Sequence, residues 1–181
     1  MPERTPIAQC AIEPDFYIRD MLTWALTRLP SEITVPRLLA ERHSECAQAR
    51  SQALHTLSRI KDPSAWPAIT QCLLCDPDDE VARSAWRAAV VLVPDGQEHD
   101  LAEKLAAQLG RGDREVQLSL SRALVALGEE VVGPALRKAM ACGNPDVRAH
   151  ASATERLVRN PNAGFENAVS EAKRLFALGR E

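Results

Sequence analysis

Five twelve-residue segments align with one another along this chain, beginning at Asp15, Cys46, Asp78, Asp113 and Asn144. An internal period of this size restricts the fold more than any other property of a sequence, because each repeat is one supersecondary unit that buries its apolar face against the next. The shared apolar anchors are Ile18, Ala49, Val81, Val116 and Val147, separated by 31, 32, 35 and 31 residues. Four residues beyond each anchor stands Leu22, Ala53, Ala85, Leu120 or Ala151, and positions seven and eight beyond it are mostly Ala or Leu. That is the stripe of a helix with one buried face. In the first segment the stripe runs through Ile18, Leu22, Ala25 and Leu29. The third continues into Ala88–Val93, apolar on every side and so expected within a stack.

The ends of these helices are equally legible. Asp15, Asp78, Asp113 and Asn144 lie three residues before their anchors, where a side-chain oxygen caps a helix start; Cys46 is the exception. Arg19, Arg50 and Arg148 directly follow their anchors, so loop acids and early helical arginines are expected to bond from one unit to the next. Ala82 and Gln117 leave gaps in such a ladder. Second helical stretches fall at 32–41, 64–74, 100–109, 131–140 and 166–176, with Pro36, Pro67 and Pro134 expected in first turns that tolerate a missing N–H. Stops at Pro30-Ser31, Pro94-Asp-Gly96, Gly128 and Asn160–Gly164 separate them. Only 4% of residues are aromatic, which favours helices packed through Ala and Leu over a β-sandwich.

The pattern Asp-x-x-Val-Arg-x-x-Ala-x-x-Ala-Leu, followed by a Pro-led second helix, resembles HEAT repeats over residues 14 to 180. It is closest in form to the short bacterial HEAT-like repeat first associated with phycobilin lyases, and the whole chain resembles small actinobacterial HEAT-repeat proteins. The resemblance implies an all-α fold, a right-handed α-α superhelix of about five helix pairs, with first helices convex and second helices lining the concave side. The units are 14–44, 45–75, 76–110, 111–142 and 143–180, in a single domain 14–181 after an N-terminal segment 1–13.

Tyr17, Met21 and Trp24 form a second stripe on the first helix, about 100° from its core stripe. The expectation is that residues 7–12 fold back over it as a partial cap; the alternative is an exposed patch for a partner or a second copy. On the second helices, Arg37, Glu41, Gln71, Lys104, Arg137, Lys138, Lys173 and Arg174 fall off the apolar stripe. They become more basic towards the C-terminus, with Arg111 and Arg114 nearby, and offer a docking surface for an anionic segment.

Chemistry is harder to find. His43, Cys46, Cys72 and Cys75 are the one set with soft-ligand character for zinc, but Cys72 sits at an apolar helical position and is expected to pack as a small hydrophobe. No P-loop, G-x-G-x-x-G, G-x-S-x-G or H-E-x-x-H occurs. The histidines do not form the His-Glu pairs of the HEAT-like deoxyhypusine hydroxylase. HEAT-like DNA glycosylases use tryptophan, aspartate and basic residues in a cleft; here a net charge of -3 argues against strong phosphate binding. Trp66 and Trp86 read as structural.

No apolar run approaches the ~20 residues that span a bilayer, no signal peptide is recognisable, and five scattered cysteines fit a reducing cytoplasm. The sequence therefore reads as a non-catalytic protein-interaction scaffold without a cofactor, whose partner is another protein or, through the N-terminal unit, itself. The alternative is a HEAT-like enzyme or ligand carrier, glycosylase-like or phycobilin-lyase-like. A further module upstream of the repeats stays open.

Overall fold

A computed structural model describes residues 6–160. They contain helices and no strand. The first helices of the repeats are α2 (Phe16–Leu26), α4 (Ala47–Ile60), α6 (Asp79–Leu92), α8 (Arg114–Leu127) and α10 (Pro145–Arg159). A short α1 (Pro6–Cys10) precedes them. The second elements are α3 (Ser31–Glu41), a 3-10 segment Pro63–Ala68 followed by the one-turn α5 (Gln71–Leu74), α7 (Glu98–Ala106) and α9 (Glu129–Met140). The fifth second helix, expected at 166–176, lies outside the described residues. The chain divides into two compact units, Met1–Pro94 and Asp95–Glu181, at the Pro94-Asp95-Gly96 turn.

Each expected cap forms. The carboxylates of Asp15, Asp78 and Asp113 and the amide oxygen of Asn144 accept from the backbone N–H groups two and three residues on. Cys46 makes no such bond. The arginine after the anchor does something the sequence did not suggest. Nη1 of Arg19 donates to the carbonyls of Glu13 and Pro14 (both 2.8 Å), that of Arg50 to Ser44 (2.9 Å) and Glu45 (3.2 Å), and that of Arg148 to Cys142 (3.0 Å) and Gly143 (2.9 Å). A guanidinium thus satisfies carbonyls that the entering loop leaves over. Gln117 reaches only Gly112, at 3.4 Å. One rung of the expected ladder is present: Arg50 Nε and Nη2 hold both carboxylate oxygens of Asp76, in the loop before α6, at 3.1 and 3.2 Å.

In the first unit α4 and α6 make the most extensive helix contact among the described elements. Val81, Ala82, Ala85, Trp86, Ala88 and Ala89 are fully buried. The indole N–H of Trp86 donates to the Leu74 carbonyl at 2.9 Å, tying α6 to α5. Sealing an indole of ~200 Å² contributes about 5 kcal/mol as an upper bound. Val91 departs from the expected all-round burial, being 40% exposed on the side of α6 away from its neighbours.

Three further expectations are corrected. The stretch 64–74 is not one helix: Pro67 disfavours α geometry at Trp66, so Pro63–Ala68 is a 3-10 segment, and Ile69 (ψ 82°) and Thr70 (ψ 161°) then leave helical geometry before α5 begins. Pro36 and Pro134 lie six residues into their helices rather than in the first turn, on exposed sides. In α2 the buried residues are Thr23 and Leu26, while the supposed anchor Ile18 is 48% exposed and Leu29 50%. The anchor face of a repeat meets the element before it, and α2 has no preceding helix pair among the described residues. Nor do residues 7–12 cap the aromatic stripe. Instead α1 packs on α2 and α4, burying Ile7 and Cys10 in a crevice with Leu26, Leu38, Ala49 and Ala53.

The second unit repeats the two-layer plan, with α8 against α10 and α7 against α9. A three-membered polar network recurs at equivalent repeat positions in both units. In the first, Gln52 Nε2 donates to Thr23 Oγ1 (2.7 Å), which lies 3.5 Å from Thr56 Oγ1, and Thr56 bonds back to the Gln52 carbonyl. In the second, His150 Nε2 lies 3.0 Å from Ser121 Oγ, Ser121 is 2.7 Å from Thr154 Oγ1, and Thr154 bonds back to the His150 carbonyl.

His150 is 1% exposed, and the Gly110 N–H donates to its Nδ1 at 3.0 Å, which leaves the ring proton on Nε2. Burial lowers its pKa from 6.5 to about 4. The unfolded chain therefore takes up this proton near pH 6.5 and the folded chain only near pH 4, so acidification between them favours unfolding. Stability should fall by about 3 kcal/mol across that window and no further below it on this account. Urea titrations between pH 7 and 4 should show that fall reduced by the same amount in His150→Gln; an unchanged slope would exclude His150 as its source.

Candidate interaction surfaces

Burial in α2 is one-sided. Thr23 and Leu26 face inward; Phe16 (65%), Tyr17 (79%), Ile18, Met21 (63%) and Trp24 (55%) face out. Phe16 and Tyr17 meet edge to face at 5.8 Å, and the Arg28 guanidinium lies over the Trp24 ring at 4.9 Å. Ile12, just before the first repeat, and Leu29 and Ile33 within it add exposed apolar surface. The structure thus leaves Tyr17, Met21 and Trp24 uncovered, together with Phe16 and Ile18, which the sequence reading did not include. The missing signal was an end effect: nothing in the twelve-residue pattern marks a repeat whose anchor face is unopposed.

A groove of about 510 Å³ crosses α2, α4 and α6 beside this face, with Phe16 at its edge. Its lining is polar and of both signs, including Asp20, Ser51, Gln52, His55, Glu80, Arg83 and Arg87. Ser51 Oγ lies 3.0 Å from Ser84 Oγ and 3.2 Å from the Glu80 carbonyl, while Arg87 Nη1 meets His55 Nδ1 at 3.0 Å. Ser51 and His55 stand one turn apart, yet their hydrogen bonds run to other partners, so they are not set up as nucleophile and base. Burial, then the charges of Arg87 and Arg59, lower the His55 pKa, opposed by Asp20. Arg83 pairs with Glu80 at 2.6 Å. The groove lies on first helices, where the sequence pointed to second helices.

The candidate docking residues of the second helices fall in separate units. In the first, Arg37 and Gln71 are exposed and Glu41 is half-buried. In the second, Arg137 is exposed, Lys104 pairs with Asp100 at 2.6 Å, and Lys138 pairs with Glu103 at 3.1 Å across α9 and α7. The run of positive charge expected here is thus interrupted by its own acids. Lys173 and Arg174 lie outside the described residues.

His43, Cys46, Cys72 and Cys75 do not form a ligand cluster, and no group of three or more His, Cys, Asp or Glu suited to a metal occurs among the described residues. Cys46 Sγ is directed at the Ala11 carbonyl, 3.7 Å away. Cys72 is exposed, not packed as a hydrophobe, because α5 is a single turn at the surface. No helix among the described residues is long and apolar enough to cross a membrane.

Helix pairs with capped first helices, layered side by side within each unit, define an all-α repeat protein of the HEAT-like kind. Residues 5–90 match the family model for HEAT repeats, and the chain is a HEAT-repeat protein. The match lies within the first compact unit. No curated protein matches the chain.

The thiols give a direct check on these placements. Cys10 is 3% exposed and burial pushes its pKa up to about 11, whereas Cys46, Cys72 and Cys75 are exposed. Maleimide labelling of the folded chain near neutral pH, mapped by mass spectrometry, should modify those three promptly and Cys10 only on unfolding. Prompt labelling of Cys10 would contradict the packing of α1.

Proposed function

We propose that this chain is a non-catalytic protein-interaction module of the cytoplasm that docks a protein partner on the apolar face of α2. The observation that carries the reading is the one-sided burial of α2, which leaves two aromatic rings, a tryptophan and a methionine in solvent on one helix. Such residues are the usual anchors of protein interfaces, since each supplies a large contact area at low entropic cost. HEAT repeats commonly serve protein–protein interaction, and the match covers α2. Against an enzymatic reading stand the engaged partners of Ser51 and His55 and the sealed position of Trp86.

Tyr17→Ala/Trp24→Ala removes two exposed rings and should shift stability by no more than about 0.5 kcal/mol per site. Used as bait in native extract, the full chain should retain specific proteins that the folded double variant loses. Identical retention by both baits would refute the α2 face. So would a chain that retains no protein but co-purifies with a small molecule.

A further inference from the structure

We propose that the partner covering the α2 face is a second copy of this chain, the two α2 helices packing antiparallel about a twofold axis; this rests on the reading of α2 as a docking face. The exposed residues Tyr17, Met21, Trp24 and Arg28, on α2 and the turn that closes it, follow one another at four, three and four residues. That alternation makes the seam of a two-helix contact, each side chain entering a space on the facing helix.

A twofold axis between Leu22 and Thr23 sets Tyr17 opposite Arg28 of the second copy and Met21 opposite Trp24 of the second copy. Both contacts are favourable and each occurs twice: a guanidinium over a phenol ring and a thioether against an indole. Arg28 already lies on this face, stacked on Trp24 at 4.9 Å. The flanking charges agree. Asp20 falls opposite Ala25 of the second copy rather than against its own equivalent. The acidic entry to α2, with Glu13 and Asp15, meets the end that carries Arg28, and the helix dipoles run antiparallel.

The available area is also of the right order. Phe16, Tyr17, Ile18, Met21 and Trp24 are 48 to 79% exposed. Together they offer on the order of 600 Å² of side-chain surface, the upper end for the largest apolar patch of a monomer and close to the ~800 Å² each partner gives a standard interface.

Sedimentation velocity on the full chain across the micromolar range should show a monomer–dimer equilibrium. Met21→Asp, which sets two carboxylates beside the axis, should weaken it roughly tenfold or more, and Tyr17→Lys similarly, by facing Arg28 with a like charge. Tyr17→Lys/Arg28→Glu should recover association to within about threefold of wild type, because the new pair can form only between copies in this register. Circular dichroism melts should confirm that each variant folds, so that loss of association is not loss of structure. A wild type that stays monomeric overturns the self-pairing, and leaves the α2 face to be decided by the capture experiment. A dimer indifferent to Met21→Asp overturns the position of the seam. A double variant no better than Tyr17→Lys overturns the antiparallel register.

Discussion

The first helices α4 and α6 make the most extensive helix contact among the described elements, and the small residues of α6 and the serine pair that permit it are what the remaining features depend on. Ala85, Ala88 and Ala89 on α6 are fully buried. With methyl groups at the contact, backbones come near enough for short polar side chains to bridge them. Ser51 and Ser84 do so between α4 and α6; Thr23 and Thr56, 3.5 Å apart, link α2 to α4, which pack less closely; and Ser121 and Thr154 join α8 and α10, each pair 33 residues apart. At the positions of the last two pairs, α4 and α6 carry Leu54 and Ala88, both fully buried. One geometric slot therefore accepts either two hydroxyls or a large and a small apolar side chain. A buried hydroxyl without a partner would cost about 1–3 kcal/mol, so the polar version is tolerable only when the pair is complete.

The loops follow from the same constraint. Helices packed this closely must be entered by a tight turn, whose carbonyls point away from the helix ladder. The Asp or Asn cap satisfies N–H groups on one side of that turn, and the arginine after the anchor satisfies carbonyls on the other. Arg50 also reaches Asp76 in the next loop, so one guanidinium organises its own turn and joins two repeats. Where the arginine is replaced by Gln117 the turn keeps a single, longer bond.

Much of this was legible in the sequence because helix caps and a 31–35-residue period are local signals that tertiary context seldom overrides. Asp15, Asp78, Asp113 and Asn144 marked their helix starts correctly, and Trp86 was recognisable as core. Three features were not legible, each for a physical reason. The break in the second element at Ile69-Thr70 is marked by no proline or glycine: Pro36, Pro67 and Pro134 all lie within helical segments, Pro67 in a 3-10 one. The site of α1 depends on the space between α2 and α4, which no local pattern reports. The exposure of Ile18 depends on the lack of a neighbour, while the repeat pattern encodes only that a neighbour-facing side exists. The candidate surface was half visible for that reason: Tyr17, Met21 and Trp24 stood out as surplus apolar residues, and Phe16 and Ile18 did not.

The claim on which the structure turns is that a small residue at the first-helix contact sets the helix spacing. Ala88→Leu enlarges that residue opposite Leu54 without adding a polar group or changing helix propensity appreciably. Equilibrium urea unfolding of the full chain should show a loss of about 1–3 kcal/mol, with the far-ultraviolet spectrum retained. An unchanged or raised midpoint would mean that the contact between α4 and α6 has room for a leucine, and would contradict the close packing on which the serine bridge between them depends.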